Sequence, residues 1–240
     1  MIVKESKKGD LTFVTISDIG TIHLSLNLPN QDSTAFAEMN GDFVLAVSDG
    51  VGSCKYAEKG SKAVVDSCIN TFHALKAGIL SFDSAQIAQA IWAEWQTLLT
   101  EECLDDCGAT VQAAFKYGNH IILFSVGDGF SIFSSESKQI ASENFEATFL
   151  NDTFCLNSSF DSNSFCCKEI PLNENDSFVI VCCTDGFSNG IEANKEIEFV
   201  RELETNVTTD TIRTELESFV NAISKISFDD KSIGVVKYGK

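Results

Sequence analysis

Phe43-Val44-Leu45-Ala46-Val47-Ser48-Asp49-Gly50 and Phe178-Val179-Ile180-Val181-Cys182-Cys183-Thr184-Asp185-Gly186 share one plan: an apolar run of strand length closed by Asp-Gly. A carboxylate at a strand end is poorly placed for a core. It is well placed for a hard cation, because the adjoining glycine lets a backbone carbonyl come close. Two more acidic motifs, Asn30-Gln31-Asp32 and Asp229-Asp230-Lys231-Ser232, are read in the same way, each as ending a hydrophobic run. Magnesium and manganese favour oxygen ligands, and four carboxylate motifs without a matching histidine or cysteine set suit them. The pattern points to a two-metal hydrolytic centre acting on phosphate. In that reading Asp49 bridges, Gly50 lends its carbonyl oxygen, Asp185 and Asp229 complete one metal's shell, and Asp32 faces the other through water.

Outward from these motifs, alternation predicts strands at 11–17, 43–48, 109–117, 120–125, 130–134, 178–183 and 233–238. Tyr117-Gly118-Asn119 and Gly127-Asp128-Gly129 read as tight turns. A helical period runs from Tyr56 to Leu75, with Val64, Cys68, Thr71, Phe72 and Leu75 on one face and Gly78 as terminator. A second helix spans 84–100, with Asp83 as N-cap, Gln86 three residues on, and Ile87, Ile91, Trp95 and Leu98 inward. A third spans 210–223, with Ile212, Leu216, Phe219 and Ile223 inward. Phe149, Phe154, Phe160 and Phe165 suggest short strands or a packed loop. Strands and helices segregate rather than alternate, which predicts an α+β fold.

The 240 residues hold no Pro-rich or low-complexity linker, so a single domain over 1–240 is expected. Seventeen basic against thirty-five acidic residues give a formal charge of −18, which argues against a nucleic-acid binder and an anionic membrane surface. The first residues lack a signal-peptide core and no apolar run reaches membrane-spanning length, so a cytoplasmic location is expected. Nine cysteines, an odd number with two adjacent pairs, do not resemble a disulfide framework. Zinc is the weaker alternative, since Cys103-x-x-x-Cys107 has no second pair at a usual spacing.

The ordered set Asn30-Gln31-Asp32, Asp49-Gly50-Val51-Gly52, Gly108-Ala109-Thr110, Gly127-Asp128-Gly129, Thr184-Asp185-Gly186 and Asp229-Asp230-Lys231-Ser232 resembles the type 2C metal-dependent Ser/Thr protein phosphatases. The resemblance covers nearly the whole chain. It implies a four-layer α/β/β/α sandwich, two antiparallel sheets flanked by helix pairs, with two Mn²⁺ or Mg²⁺ ions. It implies phosphomonoester hydrolysis by a water or hydroxide bridging the metals, without a phosphoenzyme. It also implies a phosphorylated Ser/Thr protein as substrate and a cognate kinase as counterpart. By position, Asp49, Asp185 and Asp229 would hold the first metal. Asp49, the Gly50 carbonyl and Asp32 through water would hold the second, and Asp128 matches a weaker third site.

The chain departs from the family pattern in several places. Asn27 stands where the family commonly has a phosphate-gripping arginine, and no arginine precedes Arg201. Gly20-Thr21-Ile22-His23 instead resembles a divergent bacterial branch with Gly-x-x-His. His23 then either binds phosphate or acts as a proton donor near neutral pH, or else it caps or decorates a loop. Val51 leaves vacant the place of a histidine acid in some members, and Asn189 replaces an aspartate at the third metal. Lys55 either offsets phosphate charge or simply opens a helix. The missing arginine motivates a second function class, a non-catalytic phosphoprotein-sensing pseudophosphatase. Intact clustered carboxylates oppose it, being costly without cations.

Overall fold

Residues 1–99, 104–142, 154–173 and 176–239 are described by a computed structural model. Among the described residues eleven strands form two antiparallel sheets. The first sheet holds β1 (Ile2–Lys8), β2 (Leu11–Asp18), β7 (Phe130–Ser135), β8 (Lys138–Ala141), β10 (Phe178–Cys183) and β11 (Lys231–Tyr238), in the order β1-β2-β11-β10-β7-β8. The second holds β3 (Asp32–Met39), β4 (Asp42–Asp49), β5 (Val111–Tyr117), β6 (His120–Val126) and β9 (Cys166–Pro171), in the order β3-β4-β5-β6-β9. Helices α2 (Ala57–Lys76) and α3 (Ser84–Leu98) cover the second sheet, while α5 (Glu196–Thr205) and α6 (Ile212–Ile223) cover the first. Two short helices, α1 (Thr21–Leu26) and α4 (Asp185–Ser188), lie at the sheet ends. This is the four-layer α/β/β/α sandwich.

The apolar runs are continuous because their strands are buried on both faces. In β4, Phe43, Leu45 and Val47 point between the sheets, where they meet Phe13, Phe178 and Ile180. Val44 and Ala46 point the other way, into the core under α2 and α3 with Phe72, Ile91 and Trp95. In β10, Phe178, Ile180 and Cys182 face the inter-sheet core, and Val179, Val181 and Cys183 pack with Val200, Leu216 and Val220 of α5 and α6.

Local signals place the first helix pair. Asp83 accepts the Gln86 N–H at 3.0 Å and caps α3. Gly78, at φ +70, turns the chain out of α2. The predicted inward face of α2 is buried throughout. Leu98 departs from expectation: it is exposed, because Leu99 leaves the helical path and takes the inward place. Residue 100 of that predicted helix lies outside the described residues. In α6, Val220 occupies the core and Phe219 is partly buried against Phe187 and Phe199.

The stretch 140–170 contains β8, β9 and a packed aromatic loop. Phe154, Phe160, Phe165 and Phe124 meet in sequence, with ring centroids 5.4–6.0 Å apart. Phe149 lies outside the described residues. No disulfide joins the described cysteines; Cys107 is core, and Cys103 lies outside the described residues. No helix among the described residues is long and apolar enough to cross a membrane.

Candidate metal and phosphate site

Two of the four acidic motifs end strands or follow them, and two open strands, which corrects the expectation that all four end hydrophobic runs. Asp49 closes β4 and Asp185 begins α4 just past β10, while Asp32 opens β3 and Asp229 stands just before β11. Antiparallel pairing requires this mixture, since the end of one strand adjoins the start of its neighbour. Asp32 therefore pairs directly across from Asp49.

Asp49 is held by its backbone. Thr110 Oγ1 accepts the Asp49 N–H at 2.9 Å, and the Thr110 N–H donates to the Asp49 carbonyl at 2.8 Å. Ser48 Oγ donates to the Thr110 carbonyl at 2.6 Å. The bridge between Gly50 and Ala109 is closed by the residues flanking it, so the Gly50 carbonyl takes no part in that ladder. Its N–H donates to Gln31 O at 3.1 Å, tying the two acidic motifs together. A Cβ at Gly50 would collide with the Ala57 backbone at the start of α2; one at Gly186 would collide with the Asp230 carbonyl. Only glycine permits these approaches.

The carboxylates perturb one another. Burial, followed by the charges of Asp32, Asp185 and Asp229, raises the Asp49 carboxyl far above the usual range. Burial raises Asp32 to about 7, helped by the Asp230 charge and opposed by hydrogen bonds with Asp49, Ser232 and Thr184. Asp185 is pushed from 3.8 to about 6 by burial and the charges of Asp128 and Asp229. Asp128 is raised by burial and by Asp229. All five aspartates singled out in the sequence thus form one electrostatic cluster. Asp128 and Asp229 are its exposed members.

Asp32 shows the imbalance most clearly. Thr184 Oγ1 donates to its Oδ2 at 2.9 Å, while Oδ1 is buried without a hydrogen-bond donor among the described residues. What faces Asp32 is another carboxylate, that of Asp49. Buried like charges of this kind call for a cation or a shared proton. Among the described residues no three metal-binding side chains stand around a common point as a finished shell.

A cavity of about 450 Å³ opens beside the cluster, walled by Asp128, Asp185, Asn189, Ser142 and Phe130. A second, of about 560 Å³, lies at the far end of the sandwich among the hairpin tips at Gly9, Asn40 and Asn119. The turn carrying Asp128 is fixed by buried Gln112, whose Nε2 donates to the Asp128 carbonyl at 3.1 Å. Lys55 lies over the Tyr56 ring, 4.7 Å from its centroid.

Asp230 is the functional residue that the sequence reading passed over. It is buried, and its Oδ1 accepts the Gly20 N–H at 2.6 Å. Its Oδ2 accepts the Gln31 N–H at 2.6 Å and meets His23 Nδ1 at 2.8 Å. One carboxylate thus joins three segments distant in sequence: the Gly20–His23 turn, the residue before Asp32, and the residue after Asp229. His23 is accordingly an oriented side chain on α1 with Nε2 turned away from Asp230, not a loose decoration. Lys231, also buried, donates to the Asp229 carbonyl at 2.5 Å and steadies the same loop. The paired acidic residues at 229–230 were the only sequence signal for this role.

The Protein phosphatase 2C family profile matches residues 19–221. The chain belongs to the protein phosphatase 2C family. Its sandwich is similar to that of RsbX in complex with magnesium, at TM-score 0.67 and 14% identity over 99% of this chain and 100% of that one. It is similar to the catalytic domain of the serine/threonine phosphatase PstP with two manganese ions, at TM-score 0.67 and 17% identity over 96% and 99%. It also resembles Stp1 of Staphylococcus aureus, at TM-score 0.67 and 15% identity over 98% and 96%. At these identities the likeness establishes the fold. No curated protein matches the sequence.

Proposed function

We propose that this protein phosphatase 2C member is a metal-dependent Ser/Thr phosphoprotein phosphatase that hydrolyses phosphomonoesters with two Mn²⁺ or Mg²⁺ ions. The observation that carries the reading is the facing carboxylate pair Asp32 and Asp49, both raised by burial, with Asp185, Asp229 and Asp128 around it. Mn²⁺ in PstP and Mg²⁺ in RsbX support the choice of ion. Bound here, such ions would activate a water nucleophile and neutralise phosphoryl charge.

The chain's own residues divide the remaining work. Asp49 would ligate both ions, with Asp185 and Asp229 for one of them. Asp32 through water and the Gly50 carbonyl would serve the other, and Asp128 a weaker third. Thr110 fixes the Asp49 backbone and Thr184 holds the Asp32 carboxylate. His23, oriented by Asp230, presents Nε2 to the phosphoryl group or its leaving oxygen, in a chain whose Asn27 replaces the family's common arginine. The substrate is a phosphorylated Ser/Thr protein, supplied by a cognate kinase.

Phosphate release from a phosphothreonine peptide tests the reading. Turnover should require Mn²⁺, stop with excess chelator, and be lost in Asp49→Asn. Tight phosphopeptide binding without turnover would instead establish the non-catalytic sensor, for which the replacement of the family's common arginine by Asn27 is the motive.

A further inference from the structure

Helix α1 carries three large apolar residues and buries none of them. Ile22, Leu24, Leu26 and, just beyond it, Leu28 are all exposed, and so are Ile226 and Phe228 in the segment leading to Asp229. Their exposure runs from 42% at Leu28 to 69% at Ile226. The two segments meet, the Ile22 N–H donating to the Phe228 carbonyl at 3.2 Å. These six are nearly half of the thirteen large apolar side chains exposed among the described residues, and they stand at one place. At helical spacing Ile22 and Leu26 share one flank of α1 and Leu24 lies on the other, with His23 between the flanks and bound to Asp230; Leu28 follows past Asn27, whose left-handed backbone ends the helix. The result is an apolar ridge along the carboxylate cluster.

We propose that this ridge is a docking surface for apolar residues flanking the phosphorylated residue of a protein substrate. The proposal rests on the phosphatase reading. Continuity with the site argues for this occupant: Phe228 adjoins Asp229, and Ile22 and Leu24 adjoin His23. A phosphoryl group held at the cluster brings the two or three residues on either side of it onto the ridge, at about 3.3 Å per extended residue. Charge argues the same way. Residues 19–31 contain no Asp, Glu, Lys or Arg, in a chain where 22% of residues are charged and the net charge is −18. Recognition there proceeds by apolar desolvation, while the surrounding negative field disfavours acidic flanks. Area argues against a second copy of the chain. At roughly 100 Å² each the six side chains expose on the order of 600 Å², below the roughly 800 Å² per partner of a stable interface.

The test compares the wild type with Leu24→Ser/Leu26→Ser/Ile226→Ser, in Mn²⁺, on three substrates. These are a phosphothreonine peptide with leucine and phenylalanine at the flanking positions, the same peptide with serine and glycine there, and para-nitrophenyl phosphate. The wild type should prefer the apolar-flanked peptide about tenfold in kcat/KM, through KM. The variant should lose that preference and hydrolyse para-nitrophenyl phosphate at the wild-type rate. Equal rates on both peptides in the wild type, or a preference that survives in the variant, would overturn the docking. So would a wild-type dimer that the variant dissolves, seen by light scattering at assay concentration. Anisotropy of the fluorescein-labelled peptides keeps the two readings apart. A binding preference without any turnover overturns the phosphatase reading alone; no binding preference overturns the docking.

Discussion

Replacing Asp185 by asparagine should stabilise the metal-free protein while destroying its activity. Asp185 opens α4 beside Asp128 and Asp229, and burial together with those charges lifts its carboxyl from 3.8 to about 6. A carboxyl whose folded-state value is raised contributes full stability below its unfolded value, and that contribution disappears as pH rises through the folded value. Between about pH 4 and pH 8 the ionised side chain therefore weakens the fold. A rise of about two pH units at 1.36 kcal/mol each corresponds to about 3 kcal/mol, an upper bound that residual solvent contact lowers toward about 1.5 kcal/mol. For a chain of this size each kcal/mol moves the Tm by about 2–4 °C, so Asp185→Asn should melt about 3–12 °C higher at pH 8 in chelator. The gap should close as pH falls through 6 toward 4. Added Mn²⁺ should raise the Tm of the wild type and leave that of the variant nearly unchanged. Differential scanning calorimetry at both pH values, with and without Mn²⁺, reads all of this. A variant that melts at or below the wild type at pH 8 in chelator would refute the argument that the cluster stores unneutralised repulsion.

Two further outcomes follow from the same geometry. Asp230→Ala leaves the Gly20 and Gln31 N–H groups and His23 without their acceptor, and should cost about 2–5 kcal/mol in urea denaturation; Asp230→Asn, which keeps an acceptor, should cost less. Gly60→Ala would gain up to about 1 kcal/mol in an exposed helix, but at Gly60 a Cβ meets the Cys107 carbonyl, so a net loss of about 1–3 kcal/mol is expected by the same measurement.

What was legible in the sequence was legible for a physical reason. β4 and β10 are covered on both faces, so their apolar runs were unbroken and their closing aspartates conspicuous. α2 and α3 showed helical stripes because each buries one face. β1 escaped because it is an edge strand carrying Lys4, Lys7 and Lys8 toward solvent. β3 escaped because it is only half-buried and begins with Asp-Ser-Thr, which reads as a loop. α5 buries only Val200 and Leu203 among four glutamates, too narrow a stripe to stand out. α1 has apolar residues but no buried ones, so no periodicity argument applies to it.

The site divided along the same line. Asp32, Asp49, Asp128, Asp185 and Asp229 were readable one by one from their motifs, and the fold gathers them. The role of Asp230 was not readable, because two of its three partners are backbone N–H groups and all three lie some 200 positions away.

The central claim is that this cluster is a cation site serving phosphate hydrolysis. The most direct measurement is Mn²⁺ titrated calorimetrically into chelator-treated protein, wild type and Asp49→Asn, with phosphothreonine-peptide hydrolysis followed in the same samples. The account predicts about two ions taken up by the wild type together with the onset of phosphate release, and both lost in the variant. Wild-type protein that neither takes up Mn²⁺ nor releases phosphate would contradict it.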